Sequence, residues 1–70
     1  MKYLISVEKT ETGYAAYAPD LPGCVSTGST TEETAQNMQE AIEFHLGGLK
    51  LEGQPIPPPS TISAYVEVAA

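Results

Sequence analysis

The first third of the chain alternates between apolar and polar positions with a period of two. From Lys2 to Lys9, Tyr3, Ile5 and Val7 fall on one side, and Leu4, Ser6 and Glu8 on the other. That spacing predicts a β-strand. Thr10-Glu11-Thr12-Gly13 is polar, ends in glycine and reads as a hairpin loop. Tyr14 to Ala18 forms a second strand antiparallel to the first, with Tyr14, Ala16 and Ala18 set against Ala15 and Tyr17. Pro19 has no N–H for a ladder and ends it. Asp20-Leu21-Pro22-Gly23 follows as a stiff turn: Pro22 presets its own φ, and Gly23 can supply the positive φ of a type II turn. Cys24 to Thr27 or Gly28 reads as a third strand, completing a meander.

Beyond Gly28 the period changes to 3.6. Thr30 and Glu33 fit a capping box, and Glu32 and Glu33 suit the positive end of a helix dipole. Ala35, Met38, Ala41, Ile42, Leu46 (or His45) and Leu49 make the apolar stripe, with Gln36, Asn37, Gln39, Glu40 and Glu43 outside it. The helix is expected to end near Leu51, with Gly53 as its stop. Gly47-Gly48 interrupts it at roughly 2 kcal/mol relative to two alanines, which marks a close packing point, a bend or a weak last turn. Gln54-Pro55-Ile56-Pro57-Pro58-Pro59-Ser60 reads as an extended connector. From Thr61 to Val68 the alternation returns, with Ile62, Ala64, Val66 and Val68 opposite Ser63, Tyr65 and Glu67, and predicts a last strand.

The reading is therefore α+β: a two-layer βββαβ domain over residues 1–70. A right-handed crossover would pair the last strand in parallel with the first, giving the mixed order 3-2-1-4 with one helix on one face. The second sheet face is left bare and partly apolar, so association is expected, with a protein partner or as a homo-oligomer, dimer or tetramer.

Size sharpens that expectation. A chain of 70 residues buries only ~60% of its unfolded surface and usually needs a staple or a partner. One cysteine, Cys24, excludes an internal disulfide, and His45 with Cys24 makes no metal cluster. Nine acidic residues against three lysines and no arginine give a net charge of −6. Nucleic-acid binding rests on neutralising phosphates, so this balance argues against it. It suits solubility or a basic partner. No stretch reaches the ~20 apolar residues of a membrane span. Met1 to Ile5 gives way to Ser6 and Glu8 as a strand does, not a signal peptide, so a cytoplasmic protein is expected.

Candidate chemistry is sparse. Glu8, Asp20, Glu33, Glu40 and Glu67 are the carboxylates a two-metal nuclease would draw on, but their spacing shows no convergence and they read as solvated. His45 lacks an evident partner for general-base work and reads as packed. Cys24, at a strand start, is a small apolar filler more than a nucleophile. Tyr14, Tyr17 and Tyr65 suit either an interface patch or the core. Asp20 either meets a basic partner or caps its own turn.

The series Gly13-Tyr14-Ala15-Ala16-Tyr17-Ala18-Pro19-Asp20-Leu21-Pro22-Gly23-Cys24, then Gly28 to Thr34, Glu40-Ala41-Ile42-Glu43, and Gly53 to Ser60, resembles the HicB-like antitoxin family of type II toxin–antitoxin systems. The resemblance implies a partial RNase H-like fold and no enzymatic activity or cofactor. It implies a partner, a small basic HicA toxin that cleaves mRNA, whose site the antitoxin covers. The candidate partner-contacting residues are Tyr14, Tyr17, Asp20, Leu21 and Pro22. Full-length members also carry a C-terminal DNA-binding domain, which is not expected within residues 1–70. An orphan oligomeric binding module with another protein or a small-molecule partner is the alternative.

Overall fold

The computed structural model describes residues 1–70. Its elements are β1 (Ser6–Lys9), β2 (Tyr14–Tyr17), β3 (Val25–Gly28) and α1 (Thr31–Leu51). The sheet order is β1-β2-β3, both pairs antiparallel. The hairpin between β1 and β2 closes with Thr10 N–H donating to Gly13 O at 2.8 Å and Gly13 N–H to Thr10 Oγ1 at 3.1 Å.

The first strand is shorter than the alternation predicts. Ser6 pairs with Tyr17. Carrying that register back would set Leu4 opposite Pro19, which has no N–H to offer. Tyr3, Leu4 and Ile5 therefore lie outside the ladder, although all three are half-buried. The stiff turn forms as expected: Leu21 N–H donates to Ala18 O at 3.0 Å, Cys24 N–H to Leu21 O at 3.1 Å, and Gly23 takes φ 84°.

Thr30 is the helix N-cap, its hydroxyl accepting from Glu33 N–H at 3.0 Å. The reciprocal half of the box is displaced by one residue. The Glu33 carboxylate accepts from Ser29 N–H at 2.7 Å and Ser29 Oγ at 2.9 Å, not from Thr30. These bonds, the backbone one first, hold Glu33 below its ordinary carboxylate pKa. The helix ends in a Schellman arrangement, with Gln54 N–H on Leu49 O at 2.9 Å, Gly53 N–H on Lys50 O at 3.1 Å and Gly53 at φ 68°.

The inward stripe differs from the expected one at its start. Thr34, not Ala35, is buried; Ala35 is exposed. The Thr34 hydroxyl is satisfied by donating to Thr30 O at 2.7 Å, so the side chain can enter the interior. It fits because its neighbour on β3 is Gly28, where an added Cβ would stand 2.5 Å from Thr34 Oγ1 and 2.7 Å from Thr34 N. Ser26 Oγ donates to Thr34 O at 3.1 Å, and Asn37 Nδ2 to Thr27 O at 2.8 Å. The helix thus lies over β3 and β2 and touches β1 least. Ala16, Ala18, Leu21, Cys24 and Met38 form the core, with Tyr3, Ile5, Ala41, Ile42 and Leu46 packed around it.

Two expectations are corrected. Gly47 and Gly48 are helical and neither is a packing point, since a Cβ on either would meet nothing within 4 Å. The helix runs on through them to Leu51. The sheet also has three strands, not four: residues 54–70 carry no helix or strand, so the order 3-2-1-4 is not formed. Alternation fixes which side chains share a face but supplies no partner for the backbone. Ile62, Tyr65, Val66 and Val68 are between 74% and 99% exposed.

The glycines make opposite predictions. Gly28→Ala drives a methyl into the Thr34 backbone and is expected to destabilise by about 1–3 kcal/mol. Gly47→Ala meets open space in a helix and is expected to stabilise by about 1 kcal/mol. Urea midpoints of the two variants, against the parent chain, check both signs.

Candidate partner-binding surface

The face of the sheet turned away from α1 is open. Ser6, Glu8, Ala15, Tyr17, Val25 and Thr27 share it, because directly opposed residues of antiparallel strands point the same way. Tyr17 is 45% exposed and Val25 65%. Together with Ala15, Glu8 and Thr27 they line a shallow depression of about 470 Å³.

A larger groove of about 730 Å³ lies on the other side of β3, between that strand and α1. Its apolar floor includes Cys24, Ala41 and Leu49, and its rim carries Glu40, Glu52 and Phe44. Phe44 stands 86% exposed on the helix's outer side. Val25 lines both hollows. One continuous surface therefore wraps β3, with Tyr17 on one flank, Val25 at the turn and Phe44 on the other flank. Exposed aromatics beside a carboxylate rim are the composition that recognises a cationic protein surface.

The structure divides the residues expected at a partner contact. Tyr17 and Pro22 are exposed, Tyr17 within the open face and Pro22 beside Gly23 of the groove. Tyr14 alternates to the opposite face from Tyr17 and sits half-buried near Gly28 and Ser29. Leu21 is fully buried and belongs to the core, so its side chain has no surface to offer. The stiff turn folds inward at Leu21 because Ala18, Cys24 and Met38 close over it.

Asp20 is engaged within the chain. Its Oδ2 accepts from Ser60 N–H at 2.9 Å and Thr61 N–H at 3.0 Å. Its Oδ1 accepts from Ser60 Oγ at 3.1 Å and Thr61 Oγ1 at 2.7 Å. Four donors on one carboxylate, with the Thr61 backbone the strongest influence, lower its pKa from 3.8 to about 2. With the Tyr3 hydroxyl donating to Pro57 O, this clamp draws the proline-rich segment back over the turn.

The remaining candidates show no convergent chemistry. Burial pushes the Cys24 thiol pKa up, which keeps it protonated and suits a core filler. His45 is half-buried along the groove. No three of the His, Cys, Asp and Glu side chains come together as metal ligands. No helix is long and apolar enough to cross a membrane. Val25 and Phe44 are the residues that sequence reasoning missed. Phe44 was visible as the single Phe lying off the apolar stripe; Val25 could be assigned to the open face only once the register was known.

Comparison with known proteins agrees with this architecture. Residues 3–69 match the family model described as the HicB_like antitoxin of bacterial toxin-antitoxin system. A 14.9 kDa protein of Haemophilus phage HP1 is 39% identical over 66 residues, covering 94% of this chain and 50% of its own length. Antitoxin HicB 2 of Photorhabdus laumondii is 37% identical over 71 residues, covering 100% of this chain and 51% of its own. The chain thus spans about half the length of these two relatives. A chain of the HicA3 and HicB3 toxin-antitoxin complex superposes with a TM-score of 0.73 at 38% identity, over 84% of this chain and 70% of that one.

The Asp20 clamp predicts a pH response of fixed sign. Its folded-state pKa lies below the unfolded value, so the clamp's contribution is complete above 3.8 and is lost as pH falls through about 2. The Ser60 and Thr61 amide resonances are expected to move to unclamped positions across that window. Asp20→Asn, which removes the charge the four donors share, should leave them near those positions at neutral pH.

Proposed function

Because this chain belongs to the HicB-like antitoxin family of bacterial toxin–antitoxin systems, we propose that it works by binding and covering a small basic HicA-type ribonuclease toxin, without performing chemistry itself. The observation that carries this reading is the likeness, at 38% identity, to a chain of a toxin–antitoxin complex. The surface wrapping β3 fits the role. Five of the nine acidic residues, Glu32, Glu33, Glu40, Glu43 and Glu52, lie on or just after α1, against the single lysine Lys50. A field of that sign steers a cationic protein toward the groove. Phe44 and Val25 then supply the desolvated anchors that hold it. In this reading the toxin sits against β3 and α1 with its RNA-binding surface facing carboxylates that repel phosphate.

In this reading Tyr17 and Pro22 border the contact, while Tyr14, Asp20 and Leu21 act behind it by shaping the turn. A partial RNase H-like topology belongs to the same proposal, and its strands β1 to β3 with α1 supply the platform. The test is neutralisation. Co-expression with a cognate HicA-type toxin is expected to restore growth and to yield a co-purifying complex. Failure of both, with folded protein present, sinks the proposal.

Single substitutions locate the contact. Phe44→Ala is expected to weaken toxin binding by about 30-fold, the effect of an anchor worth about 2 kcal/mol. Glu40→Lys should act chiefly on the association rate and flatten its salt dependence. Calorimetry and stopped-flow mixing with the purified toxin read the two effects separately.

A further inference from the structure

We propose, as a step that rests on the toxin-binding reading, that the partner attaches as an added strand. An extended basic segment of the toxin pairs along the outer edge of β3 and lays alternate side chains into the two hollows that meet at Val25. The ladder fixes which groups are free to receive it. Ala18 N–H donates to Cys24 O, so Cys24, Ser26 and Gly28 turn their peptide groups toward β2. Val25 and Thr27 therefore turn theirs outward. The Thr27 carbonyl is taken by Asn37 Nδ2 at 2.8 Å. Val25 N–H, Val25 C=O and Thr27 N–H have no partner within the chain.

An exposed edge usually carries a lysine, a proline or a bulge that keeps other strands off. Val25-Ser26-Thr27-Gly28 has none of these, and its register against β2 is unbroken. The flanking hollows suit the two faces of a guest strand, whose side chains alternate between the faces of the sheet. One set enters the groove between β3 and α1, over Cys24, Ala41 and Leu49. Gly48 widens that groove, since even a Cβ there would meet nothing within 4 Å. The other set lies against Val25 and Tyr17 on the open face. A segment lying along β3 reaches both hollows and satisfies the outward peptide groups between them.

Charge selects the occupant. Glu40 and Glu52 border the groove, on a chain of net charge −6 without arginine. A strand that brings lysine or arginine to its helix-facing positions pairs with them. At the β1 edge, Lys9 and the nearby Lys2 outweigh Glu8 and turn the same strand away. A second copy of this chain would bring like charge to the Glu40 and Glu52 rim, which disfavours it.

The experiment uses the full chain and, as probe, the HicA-type toxin that co-purifies with it, both isotopically labelled. Magnetic resonance of the complex is expected to show couplings through hydrogen bonds from the Val25 and Thr27 amide nitrogens to carbonyl carbons of the toxin. A second measurement removes one donor. The chain is assembled by ligation at Gly23–Cys24 with an N-methyl group on Val25, which takes away only that outward N–H. Circular dichroism and the urea midpoint are expected to match the parent. Toxin affinity by calorimetry is expected to fall about 30-fold, the effect of leaving a toxin carbonyl without its donor. A complex without the couplings, or one that tolerates the N-methyl group, overturns the added strand and leaves the toxin-binding reading standing. The absence of any complex removes that reading, and this inference with it.

Discussion

The helix can lie against β3 only because Gly28 has no side chain. A methyl there would collide with the backbone and hydroxyl of Thr34, so the approach of the two layers is set at one point. The rest is arranged around that contact. Thr34 enters the interior with its hydroxyl returned to Thr30 O, Ser26 bonds the Thr34 carbonyl, and Met38 one turn later reaches Leu21 and Cys24. Fixing the helix over β3 and β2 also decides what is left uncovered. The groove with Phe44 on its rim lies to one side, the bare edge of β1 to the other, and the second sheet face below. A helix centred on the sheet would have removed both flanking features.

Much of this was legible in the residues. Period-two alternation located three strands, and the Pro19-to-Gly23 punctuation located a turn whose glycine does take positive φ. Thr30, Glu33 and Gly53 marked the helix ends. The misses share a cause: they concern partners, which local pattern does not encode. Leu4 alternates as a strand residue should, but the register would place a proline opposite it. Ala35 and Thr34 are adjacent, and which one turns inward depends on a glycine on another element. Gly47 and Gly48 read as a close packing point, a bend or a weak last turn, and only the absence of a neighbour removes the first. Ile62 to Val68 has every mark of a strand and no strand beside it. At the candidate site, Tyr17 and Pro22 were readable as surface residues, Leu21 was not, and Asp20 proved to be bound by residues forty positions away.

Asp20 shows how a small domain spends its few polar groups. Its carboxylate meets four donors from Ser60 and Thr61 and so ties the end of the proline-rich segment to the middle of the chain. Without a disulfide or a metal, that closure takes the place of a covalent staple. It also holds the stiff turn, and with it Gly23 and Cys24 at the mouth of the groove.

Burial of Cys24 has a further consequence. The only sulfhydryl in the chain is buried in the floor of the groove, 5% exposed, with its proton held on. A thiol reagent that enters the groove can reach it only when the residues packed around it part. Its modification rate is therefore a built-in clock for the breathing of the interior, and stabilising ligands of any kind would slow that clock in proportion to the openings they suppress.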